Sequence, residues 1–109
     1  MKSNLTEKEI VGLYRGFFIF GDAAALKILY ELERNGTKTF TELKSDLGLN
    51  PTTLSKRLKL LVQVGLLSAG NESDKLHVYY KVVNHHKQLK RFLDALERLA
   101  YDMQSEIDQ

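Results

Sequence analysis

The chain of 109 residues contains no cysteine. That absence excludes disulfides, thiolate metal sites and cysteine nucleophiles. Proline occurs once and glycine seven times, so the sequence is not low-complexity. Long apolar runs are missing too. The longest, Ile10 to Phe20, is interrupted by Arg15, and a membrane-spanning helix needs about 20 apolar residues. Glu7 and Glu9 stand where a signal peptide would carry positive charge, so cytoplasmic residence is expected. Charge of one sign is also scarce. The 16 basic and 14 acidic residues leave a formal +2. Total charge therefore identifies no partner, and its distribution must be followed along the chain.

Signatures of catalysis are missing as well. There is no nucleophile elbow, phosphate loop, paired-carboxylate motif or metal-ligand spacing. Glu31, Glu33 and Asp22 read as helix-surface and cap residues. His77, His85 and His86 read as surface or capping residues, because adjacent histidines cannot both face one metal site on regular backbone. No enzymatic activity, cofactor or metal is expected.

The residues that are present divide the chain into recognisable elements. Its length suits one domain with its own core. Thr6-Glu7-Lys8-Glu9 has the pattern of a capping box and starts a first helix near Glu7. That helix is apolar on nearly all sides, through Ile10, Val11, Leu13, Tyr14, Phe17, Phe18, Ile19 and Phe20, and needs cover on most faces. Gly12 and Gly16 suit close approach between soluble helices. Asp22 caps a second helix, Ala23 to about Arg34, stopped at Asn35-Gly36. A small strand falls in Thr37 to Phe40, and a short helix, capped by Thr39 or Thr41, runs from about Thr41 to Leu47. After the turn Gly48-Leu49-Asn50, Asn50 and Pro51 open a helix to Val64, with Gly65 as its stop. Leu66 to Ala69 and Lys75 to Val83 read as two strands around the tip Gly70 to Asp74. A last helix spans about His86 to Glu106. The fold expected is mainly α with a small β-hairpin (α+β): a winged helix-turn-helix at 22–83 between terminal helices at 1–21 and 84–109.

The functional signal lies between Phe40 and Leu67: FTELKSDLGLNPTTLSKRLKLLVQVGLL. Leu54, Leu58 and Leu61 form the buried face of its second helix. The opposite face carries Thr52, Thr53, Lys56, Lys59 and Gln63, with Ser55 and Arg57 on the flanks and Leu60 partly under the wing. Threonine, serine and Asn50 near a helix start can bond phosphates or base edges, and the helix N-terminus favours phosphate. From Thr37 to Gly70, Lys38, Lys44, Lys56, Arg57 and Lys59 outnumber Glu42 and Asp46, so the positive excess sits on this motif. The hairpin adds Lys75, His77 and Lys81, but Asn71-Glu72-Ser73-Asp74 makes an acidic tip.

This segment, followed by LHVYYKVV, resembles the winged helix-turn-helix regulators of the ArsR and HxlR type, and is similar to small archaeal relatives that dimerise through terminal helices. The resemblance covers about Ala24 to Val83. It implies a homodimeric transcription regulator of double-stranded DNA, with Pro51 to Gln63 in the major groove and Leu66 to Val83 as the wing. Metal sensors of the ArsR group use cysteine thiolates, which this chain lacks, so soft-metal sensing is not expected.

Dimerisation is expected through Leu13, Phe17 and Phe18 of the first helix and Leu89, Phe92, Leu93, Leu96, Leu99 and Met103 of the last. The latter recur at spacings of three and four, on a helix about 30 Å long. Two other functions compete with sequence-specific regulation: a winged-helix scaffold for protein partners, and a non-specific architectural DNA binder. A scaffold would show apolar or mixed residues on the outward face of the 51–64 helix, and an architectural protein more positive charge.

Overall fold

A computed structural model describes residues 5–71, 77–83 and 86–107. Five helices and three short strands follow the order α1 (Glu7–Phe20), α2 (Ala23–Asn35), β1 (Lys38–Thr39), α3 (Phe40–Leu47), α4 (Pro51–Gln63), β2 (Leu67–Gly70), β3 (Tyr79–Val82) and α5 (His86–Ile107).

Local chemistry sets the helix starts. Thr6 accepts from the Glu9 N–H at 3.2 Å and opens α1. The Asp22 carboxylate accepts from the Ala25 N–H at 2.9 Å and opens α2. Thr39 and Glu42 form a complete capping box at α3, whose first residue is Phe40 rather than Thr41. Gly21 separates α1 from α2 at close quarters. A Cβ there would stand 2.8 Å from the Phe17 carbonyl oxygen, so only glycine fits this corner. Gly48 ends α3 in the left-handed conformation, φ 62°, which turns the chain towards α4.

α2 is the hub. Ala25, Ile28, Leu29 and Leu32 are all buried on it, and it packs against α1, α3, α4, β3 and α5. Leu43 from α3, Leu54, Leu58 and Leu61 from α4, and Leu67 from β2 close the core around it. Burying each such leucine contributes about 1.5–3 kcal/mol.

The sheet holds more than a hairpin. Its order is β1-β3-β2, all antiparallel. Lys38 pairs with Tyr80, and Leu67 pairs with Val82. The expected strand from Lys75 is shorter in the structure, beginning at Tyr79. His77 and Val78 lie ahead of it, before the strand starts, while Lys75, Leu76, the tip residues 72–74 and Asn84 lie outside the described residues.

α5 is joined to the core only at its start. Leu89 and Leu93 are buried. The Tyr30 hydroxyl donates to the Leu93 carbonyl at 2.6 Å, and Arg34 pairs with Glu97. This corrects the expectation for Leu89 and Leu93: they are core residues of their own chain, because α2 offers α5 an apolar groove and a tyrosine anchor. Beyond Leu96 every described residue of α5 is exposed. The projecting helix gives a radius of gyration of 15.9 Å, against about 13 Å for a compact chain of this length.

Candidate nucleic-acid interface

α4 lies on the molecule with one apolar and one polar side. Leu54, Leu58 and Leu61 are buried, and their spacing of four and three leaves the opposite side to solvent. Thr52, Ser55, Lys56, Lys59 and Gln63 are all exposed there, and Thr53 is half-buried. Leu60 faces outward too, at 37% exposure. Asn50 caps α4, its side-chain oxygen accepting from the Thr52 N–H at 2.8 Å. The Leu54 N–H bonds the Asn50 carbonyl. Pro51 has no N–H to place. Thr53 therefore keeps the first-turn N–H with no acceptor among the described residues, at the helix end whose dipole attracts anions.

The structure reduces the charge on this face to fewer residues than the sequence suggests. Lys38 is held by Glu31 at 2.7 Å and by Asp46. Those two carboxylates raise the Lys38 pKa, and the lysine's hydrogen bond lowers that of Glu31. Arg57 is likewise engaged. Its Nε donates to Asp22 Oδ2 at 2.7 Å and its Nη2 to Oδ1 at 3.2 Å. The sequence pattern puts Arg57 on the flank of the outward face. The structure instead turns it to the α1–α2 corner, because a flank position on α4 lies within reach of the Asp22 cap. Lys44, Lys56, Lys59 and Lys81 have no ion-pair partner among the described residues. Of these, Lys56 and Lys59 lie on α4 itself, next to Thr52 and Ser55.

The hairpin contributes less. Lys81 is exposed on β3, opposite Ser68. His77 is exposed ahead of that strand, and Lys75 lies outside the described residues. Asp22, Tyr30 and Arg34 were not singled out by sequence reasoning for the contacts they make. The Asp22 signal was visible only as a cap; nothing local links it to a residue 35 positions away.

This arrangement can insert a helix into a groove, place an N–H and hydroxyls near phosphate or base edges, and neutralise phosphate with two unpaired lysines. Comparison with known proteins agrees. Residues 22–69 match the family described as bacterial regulatory protein, arsR family. No curated protein matches the sequence. Among solved structures, the chain is similar to the antimony-specific transcriptional repressor AntR, with 21% identity over 95% of this chain and 90% of that one and a TM-score of 0.76. It is similar to a protein from Enterococcus faecalis V583 described as a MarR-family transcriptional regulator, with 20% identity, 99% and 98% coverage and a TM-score of 0.75. It is also similar to diamide-treated YodB from B. subtilis, with 18% identity, 92% and 96% coverage and a TM-score of 0.70. At these identities the three structures establish the fold, and the family match covers both helices of the motif. Residues 22–69 thus match a helix-turn-helix like that of the arsR family, and the chain that sets it in a winged-helix fold is a DNA-binding transcriptional regulator.

Proposed function

We propose that this regulator reads a specific duplex sequence as a homodimer, with one α4 from each copy in successive major-groove turns. The observation that carries the reading is α4 itself. After Pro51, its exposed residues are short hydroxyl residues, lysines, a glutamine and one leucine, and Lys56 and Lys59 have no ion-pair partner among the described residues. Hydroxyls and glutamine read base edges, and lysines hold the backbone.

Two further observations support pairing. α1 leaves Leu13, Phe17 and Phe18 at 62%, 79% and 68% exposure, an apolar surface that water disfavours. Beside it, α1 and α5 enclose a groove of about 780 Å³ lined by Leu13, Gly16, Phe17, Phe20, Phe92 and Leu96. Gly12 and Gly16 also border this side, and a Cβ on either would meet nothing within 4 Å. Their smallness meets no neighbour among the described residues and suits a helix of a second copy. Phe92, Leu99 and Met103 of α5 are exposed as well and extend the surface. Leu89 and Leu93 do not contribute, being core residues. A two-fold dimer would set its recognition helices about 34 Å apart.

Selection of bound fragments from random DNA tests this reading. Enrichment of an inverted repeat with half-sites about 10 bp apart, centre to centre, is the expected result. Recovery of unrelated fragments with equal affinity would replace it with non-specific binding.

A further inference from the structure

Asp22 performs two tasks at once. Its Oδ2 caps α2 by accepting from the Ala25 N–H, and the same carboxylate takes both prongs of Arg57. It sits directly after Gly21, at the corner where α1 gives way to α2. Arg57 sits in the middle of α4, between Lys56 and the lysine at 59. The pair is about two-thirds covered on each side, with 33% and 29% of the side chains exposed. The leucine ridge that holds α4 against the core fixes which face is inward, but its apolar contacts are non-directional. A planar guanidinium held at two oxygens is directional.

We infer that Arg57 is a positioning residue rather than a phosphate contact: its two-pronged bond to Asp22 sets the roll of α4 against the α1–α2 corner, and so aims Thr52, Lys56 and Lys59 at DNA. This inference rests on the reading of α4 as the DNA-reading helix. Swinging Arg57 out to a phosphate would break both of its bonds to Asp22 and leave that carboxylate unpaired in a part-covered corner, which opposes the swing. The cap also holds the carboxylate still, so the anchor does not depend on Arg57 for its own place. The carboxyl of Asp22 stays below its usual range, chiefly through the Arg57 bond, as a standing pair requires.

The test compares two duplexes: one selected by the parent from random DNA, and a scrambled duplex of equal composition. Asp22→Asn keeps an oxygen for the Ala25 N–H but loses the charged anchor. Arg57→Lys keeps the charge but not the fork, and Arg57→Ala removes both. Positioning predicts that all three lose selectivity, the ratio of the two affinities falling roughly five- to tenfold. The loss in Asp22→Asn with Arg57→Ala should be no larger than in either alone. Arg57→Lys, with circular dichroism matching the parent, guards against simple unfolding. A direct phosphate contact predicts the opposite: Arg57→Lys retains function, Arg57→Ala weakens both duplexes equally, and its salt slope falls by about 1. Either that pattern or unchanged selectivity in Asp22→Asn overturns the inference. A parent that shows no preference between duplexes in the first place overturns the reading of α4, and is recognised before any variant is made.

Discussion

The Tyr30 hydroxyl on α2 donates to the Leu93 carbonyl on α5 at 2.6 Å. Arg34, one turn further along α2, lies 5.0 Å from the Tyr30 ring centre and pairs with Glu97. Three side chains therefore tie the long last helix to the hub of the core, and everything after them projects. Tyr30→Phe removes one hydrogen bond but keeps the ring. A loss of about 1 kcal/mol is expected, read as a lower urea midpoint. The Leu93 carbonyl has its own place in the helix, so the fold should survive.

Phe17→Glu separates packing within the chain from packing between copies. Phe17 is 79% exposed, so a charge there should change the stability of one folded chain by no more than about 0.5 kcal/mol. In the pairing proposed here it would bury a carboxylate between apolar helices. Sedimentation should show the parent as a dimer at micromolar concentration and Phe17→Glu as a folded monomer. A dimeric Phe17→Glu would move the interface elsewhere.

Acid should loosen the molecule at identified places. Asp22 has its pKa lowered from the ordinary 3.8, first by the Arg57 hydrogen bond. Glu31 is lowered from 4.5, first by the Lys38 hydrogen bond and then by Asn35. In both, the folded state holds its proton less tightly than the unfolded state. Their stabilisation is therefore complete above the ordinary values and is lost as pH falls through the folded ones. Urea midpoints should fall between pH 5 and pH 3, and Asp22→Asn should flatten that fall.

Thr52 on the first turn of α4 is expected to choose bases rather than hold the backbone. Thr52→Val keeps its shape and removes the hydroxyl. Discrimination at one base position should shrink by about 1–3 kcal/mol, with the salt slope unchanged. The readout is affinity across a panel of single-base variants of the selected duplex.

Much of this architecture was legible because it is local. The caps at Thr6, Asp22, Thr39 and Asn50 lie within three residues of the groups they satisfy. The leucine spacing of α4 fixes its inner face without reference to any other element. What escaped was long-range. The pairing of Lys38 with Tyr80 joins residues far apart in sequence, and a two-residue strand has too little pattern to announce its partner. Leu89 and Leu93 share one stripe with Leu96 and Leu99, and the stripe cannot show that Tyr30 claims its first half for the core. Arg57 looked like its neighbours Lys56 and Lys59 because sequence counts charge and not the carboxylate that meets it.

The central claim is that the outward side of α4 holds DNA through Lys56 and Lys59. Its most direct test is the salt dependence of binding to the selected duplex, for the parent and for Lys56→Ala with Lys59→Ala. The account predicts weaker binding to every duplex and a log–log salt slope reduced by about 2 per α4 engaged. A folded double variant with unchanged affinity and an unchanged slope would contradict it.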